Sequence, residues 1–316
     1  MKAIQCKARN MGLRSGVVGN QFTSPRFDSR MSEKNKKGED ENLEELWSSI
    51  YEFQRQSLKL SSRVDEDSAI IDVGHPIGVA FLADAHIGSI SCRYEELVDR
   101  INLIAETPGL YVFSVGDTID NHLPTKHAGG VFGELFPPEL QKELVERLFS
   151  KLKGRWLGVV QGCHEEFSHE ADDFDWTKYL AKKLGCPNFG FGGVLNLVVG
   201  NEEYRIMARH KYRFNSSFNL TATVKRMREQ LGDFDIGIVS HHHQAAIEQV
   251  IQGDGVDRIF IRPGSFKPSD RYSRSLGYPS LGAFIPTVIL FPHERRMIPF
   301  LHLEQSAVVL KALNEG

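Results

Sequence analysis

The sequence predicts an α/β fold, a four-layer α-β-β-α sandwich of two mixed sheets with flanking helices. Three observations predict it. Short apolar runs alternate with helical patterns between residues 77 and 185, as βα units do. Beyond residue 190 the hydrophobic period changes to two and hairpin signals appear. Several apolar runs also end in a group of Asp and His, and ligands gather beyond the carboxyl ends of strands in open α/β sheets.

The elements follow in order. Ile77–Ala83 (IGVAFLA) is apolar throughout and predicts a strand buried on both faces. YEELVDRINLIAE (94–106) has helical spacing, and LYVFSV (110–115) is a second buried strand. PPELQKELVERLFSKL (137–152) carries Pro in its favoured first-turn place and leads to strand WLGVV (156–160). DDFDWTKYLAKKLG predicts a helix closed by a capping glycine. VLNLVV and EYRIMAR flank Gly200-Asn201 as a hairpin. Helix TATVKRMREQLG precedes strand IGIVS, and IEQVI and DRIFIRP form a second hairpin around Gly253-Asp254-Gly255. TVILF (287–291) and MIPFLHL (297–303) read as closing strands. No internal repeat is visible.

Ahead of this body, residues 1–41 read as a disordered basic tail. The first 37 residues hold nine Lys/Arg against Asp28 and Glu33, with no hydrophobic period. Two alternatives stay open there: a start at Met31, or an organelle transit peptide. No apolar stretch of a secretory signal follows the first lysine. Residues 42–70 read as a helix and polar linker, and 71–316 as the main domain. The helix shows Leu43, Leu46, Trp47, Ile50, Tyr51 and Phe53 at three- and four-residue steps. It is expected to pack on the main domain; the alternative is self-association through residues 42–60.

Composition bounds the function. The chain has 316 residues, 41% hydrophobic and 25% charged, with 38 basic against 41 acidic side chains. The resulting charge of −3 predicts no strong nucleic-acid field over the whole molecule. Cys6, Cys92, Cys163 and Cys186 lack CxxC spacing, which argues against a disulfide framework or cysteine-rich zinc finger and for a reducing, cytoplasmic setting. The longest uncharged stretch, Ser275 to Pro292, is broken by Gly277, Pro279, Gly282 and Pro286, so no membrane helix is expected.

The chemistry lies after the strands. Asp84-Ala85-His86 follows the first, Gly116-Asp117-Thr118-Ile119-Asp120-Asn121 the second and Gly162-Cys163-His164-Glu165 the third. Arg209-His210-Lys211 ends the hairpin strand and Ser240-His241-His242-His243 ends IGIVS. Each piece alone is weak: a second Asp-x-His occurs at Asp120-Asn121-His122. Their order and position raise the signal, because Asp and His collected there cost solvation energy unless paired or metal-bound. Carboxylate plus imidazole suits Mn, Fe or Zn better than Ca or Mg. Strand alternation would point His241 and His243 together and His242 away.

This series resembles the calcineurin-like metallophosphoesterase superfamily, whose pattern runs D-x-H, G-D, G-N-H-D/E, H and G-H-x-H; nuclease-type and phage-type members are the most similar. The resemblance spans Ile77 to His243, and the β-rich remainder to Leu303 fits the same fold. It implies two divalent ions, one held by Asp84, His86, Asp117 and His243. Asp117 would bridge to a second ion held by His210, His241 and Cys163. A hydroxide would attack phosphorus in line, with His164 beside the leaving oxygen, oriented by Asp120. The plain alternative for Asp120 is a turn residue. Glu165 and Glu166 read as structural partners. Two positions depart from the pattern: Cys163 replaces its asparagine and Ser240 its glycine. Cys163 is either a thiolate ligand or an uninvolved small residue.

For the substrate, Asn121 stands where protein-phosphatase members of that superfamily carry a phosphate-gripping arginine, which disfavours that branch. Lys211 and Arg213 follow a ligand position and either hold phosphate or are solvated strand-end charges. The leading expectation is a phosphodiesterase or nuclease acting on a phosphoester, with nucleic acid as one substrate class. The alternatives are a phosphomonoesterase for small or nucleotide substrates and a non-catalytic scaffold with a degenerate metal site.

Overall fold

The computed structural model describes residues 36–60, 65–124, 127–269, 274–275, 277 and 282–315. Contacts divide the chain after Leu60. The first unit contains helix α1 (Lys36–Leu60), which starts ahead of the apolar pattern that announced it. On it Trp47 and Tyr51 stack with ring centroids 6.0 Å apart. The tail reading for residues 1–35 falls outside the described residues.

The second unit holds two mixed sheets. One runs β11-β10-β2-β3-β4, built from β2 (Ile77–Leu82), β3 (Leu110–Ser114), β4 (Trp156–Val159), β10 (Thr287–Leu290) and β11 (Met297–Phe300). Its strands β2, β3 and β4 are parallel. The other runs β1-β5-β6-β7-β9-β8, from β1 (Glu66–Ile71), β5 (Gly192–Val199), β6 (Glu202–Arg209), β7 (Ile236–Val239), β8 (Ala246–Ile251) and β9 (Asp257–Arg262). There β6, β7 and β9 are parallel.

Alternation along each strand sorts side chains into three cores. Val79, Phe81 and Phe113 from the first sheet meet Leu195, Leu197, Ile206, Ile236 and Ile259 from the second, so the sheets face one another. The opposite face of the first sheet, with Ala80, Leu82 and Val112, is covered by four helices. They are α2 (Tyr94–Glu106), α4 (Pro138–Phe149), α6 (Trp176–Leu184) and α8 (Leu303–Glu315), which contribute Leu97 and Ile101, Val145 and Phe149, Trp176 and Leu180, and Leu310. On the outer face of the second sheet, Val224 and Met227 of α7 (Ala222–Leu231) pack on Met207 and Phe260. The four layers expected from sequence are present. Each fully buried side chain of the Phe81 kind contributes about 1.5–3 kcal/mol. Two short helices, α3 (Ala128–Val131) and α5 (Cys163–Asp172), stand at the strand ends.

Two elements differ from expectation. Residues expected to lie in the polar linker form edge strand β1, paired in parallel with β5. MIPFLHL is not strand throughout: pairing stops at Phe300 and Leu303 begins α8. Among the described residues, no helix is long and apolar enough to cross a membrane.

Candidate metal centre

Both parallel strand sets deliver polar side chains beyond their carboxyl ends. Asp84 and His86 follow β2, Asp117 and Asp120 follow β3, and Cys163 and His164 follow β4; His210 follows β6, and His241 and His243 follow β7. The backbone there is strained. Asp84, His86, Asp117, His241 and His243 have φ of 50°, 48°, 51°, 73° and 58°, left-handed values that cost non-glycine residues about 1–3 kcal/mol each. The surrounding turns enforce this: Asp84 N–H donates to Gly116 O at 3.0 Å and His86 N–H to Asp117 O at 3.0 Å. Two glycines let the loops meet. A Cβ on Gly116 would lie 2.7 Å from Gly162 Cα, and one on Gly162 would lie 2.2 Å from Asp117 Oδ1.

Donor atoms converge in two groups joined through Asp117. Asp84, His86 and His243 form the first, and Cys163, His210 and His241 the second. Asp117 Oδ2 lies 3.8 Å from His86 Nε2 and 3.1 Å from His210 Nε2. Across the first group His243 Nε2 is 3.3 Å from Asp84 Oδ1 and 3.2 Å from His86 Nε2. In the second, Cys163 Sγ is 3.6 Å from His241 Nδ1, which is 3.3 Å from His210 Nε2.

Outer hydrogen bonds set which ring nitrogens carry lone pairs. His86 Nδ1 lies 2.9 Å from Asp120 Oδ1, and His210 Nδ1 lies 2.9 Å from Val115 O. Carboxylate and carbonyl only accept, so both rings are protonated at Nδ1 and turn Nε2 lone pairs inward. Those lone pairs face carboxylate oxygens, and Asp84 Oδ1 is buried with no hydrogen-bond partner. Acceptors crowded against acceptors need a positive charge between them. A proton would serve one pair at a time, whereas a divalent cation in each group serves all its donors at once. The nitrogen, oxygen and single sulfur donors fit such cations.

Burial would raise the Asp117 carboxyl, but His210 above all holds it well below the usual range, and Asp117 in turn holds His210 well above the usual histidine range, so with no cation bound a proton sits between this pair. Burial pushes His86 down to about 4 against the pull of Asp120, which keeps it neutral and able to ligate at pH 7. Burial, then His210, lowers His241 to about 4.

His164 sits over this centre. Its backbone N–H donates to Asp117 Oδ1 at 2.9 Å, and its ring meets that of His86 edge-on at 4.6 Å. The orienting contact of its Nδ1 is the Asp120 backbone carbonyl, while the Asp120 carboxylate is 3.7 Å away. The expected His164–carboxylate pairing is thus replaced by a carbonyl contact. The Asp120 carboxylate instead holds His86, Lys267 (Nζ at 2.9 Å) and His122 (Nδ1 at 3.3 Å).

Glu165 is buried and accepts from Thr118 N–H at 2.6 Å, Thr118 Oγ at 2.7 Å, Asp117 N–H at 3.0 Å and Gly162 N–H at 2.9 Å. Glu166 accepts from the Gln161 amide. Ser240 lies outside the left-handed region, and its hydroxyl donates to Val115 O at 2.7 Å beside His210. His242 belongs to neither donor group, although the cause is a turn with left-handed residues rather than strand alternation. Arg213 reaches Gln230 Oε1 at 2.8 Å, and Lys211 is exposed beside Cys163 and His210.

Lys267, His122 and Glu134 escaped sequence reasoning. Glu134 lies 3.1 Å from His122 Nδ1, and with Gln141 it ties the 122–141 segment to the site. A pocket of about 770 Å³ opens on this side, lined by Asp120, His122, Lys267 and Arg274.

No family model and no curated protein matches the chain. Solved structures do. The NAD nucleotidase NadN of Haemophilus influenzae is 12% identical with a TM-score of 0.38, over 72% of this chain and 50% of that one, so this chain spans half of NadN. The calcineurin-like phosphoesterase YfkN from Bacillus subtilis is 10% identical with a TM-score of 0.36, over 76% and 99%. Nuclease MPE of Pseudomonas putida is 13% identical with a TM-score of 0.30, over 70% and 87%. Likeness at this level carries no conclusion about chemistry, which rests on the side chains above.

Proposed function

We propose that this chain is a metal-dependent phosphoester hydrolase with a preference for diesters. The observation that carries the reading is the placement of Asp117 between two donor groups, with His164 above it. Asp84, His86, Asp117 and His243 would hold one divalent cation, and Asp117, Cys163, His210 and His241 the other. Bound there, two cations supply an activated water and neutralise the oxygens of a phosphoryl group.

The remaining work falls to the chain. His164 donates its Nδ1–H to the Asp120 carbonyl, and a second proton, carried on Nε2, would pass to the leaving oxygen. Asp120 orients His86, and Lys267 offsets the charge of that buried carboxylate. Lys211 and Arg213 lie on the Cys163 side, where phosphate oxygens can be met. The helix between residues 42 and 60 is our candidate for self-association, which light scattering with and without it would test.

Hydrolysis of bis-p-nitrophenyl phosphate against p-nitrophenyl phosphate, with Mn2+ present, tests the reading. Faster diester cleavage supports it, and monoester preference moves it to a phosphomonoesterase. Silence with Mn, Fe and Zn alike leaves a binding scaffold. Nicking or degradation of DNA would extend it to a nuclease.

A further inference from the structure

A second pocket, of about 600 Å³, has no lining residue in common with the one beside Lys267 and His122. Cys163 and His210 of the second donor group form part of its wall, so whatever fills it borders that donor group. Three aromatic residues, Phe167, Phe191 and Tyr212, share the rest of the wall with charged and polar ones. Phe191 is 48% exposed. Arg209 lies 5.9 Å from the Tyr212 ring centroid, and its stem packs on Gly192, where a Cβ would meet Arg209 Cγ at 2.4 Å. Tyr212 is further fixed by its hydroxyl, which donates to Gln230 Oε1 at 2.5 Å.

The polar residues in this pocket nearly cancel. Arg209, Lys211 and Arg213 stand against Glu166 and Glu170, a surplus of one positive charge among the lining residues. A second phosphate would call for a larger surplus. Flat aromatic rings, a guanidinium on one of them and carboxylate and amide groups at the rim instead suit a nucleobase, which has a π-face to stack and an edge to hydrogen-bond.

We infer that the aromatic pocket beside Cys163 and His210 binds the nucleobase of a nucleoside phosphodiester, with Phe191 as its stacking platform. The inference rests on the phosphodiesterase reading and names the substrate class for the same centre. Nucleoside arms are thereby distinguished from simple alkyl or aryl arms next to the scissile phosphate.

The test compares two diesters with one leaving group, thymidine 5′-(p-nitrophenyl phosphate) and ethyl p-nitrophenyl phosphate, in the Mn2+-loaded full chain. Stacking of one base predicts a kcat/KM ratio of about 5- to 150-fold in favour of the nucleoside ester. In Phe191→Ala that ratio should fall toward one, and Phe191→Trp should restore it. Phe191 is exposed enough for both variants to fold, and thermal melting would verify this. If the ethyl ester is cleaved but the ratio in the parent is near one, or survives Phe191→Ala, the base pocket is refuted and the phosphodiesterase reading stands. If neither ester is cleaved with any divalent metal, both are overturned.

Discussion

Asp120 Oδ1 lies 2.9 Å from His86 Nδ1, whereas its distance to His164 Nδ1 is 3.7 Å. The carboxylate therefore acts on the ring that points into the first donor group, and His164 takes its orientation from the backbone of the same residue. Asp120→Asn should lower divalent-metal affinity by about 10- to 100-fold. At saturating metal it should retain far more rate than His164→Ala does. Metal titration by calorimetry alongside kcat measurement checks this. Equal losses of kcat at saturating metal in the two variants would return the carboxylate to the role of partner to His164.

Gly162 has no room for a side chain. Its added Cβ would lie 2.2 Å from both Asp117 N and Asp117 Oδ1, and 2.4 Å from Glu165 Oε2. The Asp117 backbone and carboxylate must therefore shift to make room. Displacement of about 1 Å in such a centre costs on the order of 100-fold in rate. Gly162→Ala should show that loss with the melting temperature reduced. A fully active, equally stable variant would mean that Asp117 tolerates displacement.

His122 should titrate above the usual histidine range. Burial lowers its pKa, but Asp120 and Glu134 outweigh burial and push it up to about 9. A raised folded-state value stabilises the protein fully below about 6.5, the ordinary histidine value, and that contribution is lost as pH rises through about 9. After discounting for screening at a partly open ring, we expect about 1–2 kcal/mol. Melting curves between pH 6 and 9.5 should fall more steeply in the parent than in His122→Gln. Parallel curves would refute the ion pairing.

Much of the architecture was legible because β2, β4 and β7 are buried on two faces and read as short apolar runs, as in Ile77–Leu82. Strand β1 was hidden because an edge strand tolerates charge: Glu66, Ser68 and Ile70 are exposed and only Ile71 is fully buried. Helix α8 did carry a signal. Leu303, Ser306, Ala307 and Leu310 are its buried positions, at helical spacing, but the preceding apolar residues blurred strand into helix. At the site, the Asp and His residues could be found by their place after strands. Their left-handed backbone could not, because that conformation is normally announced by glycine. Lys267 and Glu134 had no motif. They reach Asp120 and His122 through tertiary packing alone, the first from the segment after β9 and the second from the segment before α4.

Cys163 Sγ lies 3.6 Å from His241 Nδ1, within the second candidate donor group. A thiolate favours softer ions than an asparagine carbonyl does. Cys163→Asn should raise Mn-dependent activity and abolish sensitivity to thiol-blocking reagents. If Cys163→Asn and Cys163→Ala both match the parent in metal content, rate and reagent sensitivity, Cys163 is not a ligand.

The central claim is a pair of cations sharing Asp117. Its most direct test is titration of chelator-stripped protein with Mn2+, following bound metal and bis-p-nitrophenyl phosphate hydrolysis together, in the parent and in Asp117→Asn. The account predicts no activity when stripped, recovery that completes at two equivalents per chain, and loss of both binding and recovery in Asp117→Asn. Hydrolysis that persists without metal, or full metal binding and activity in Asp117→Asn, would contradict it.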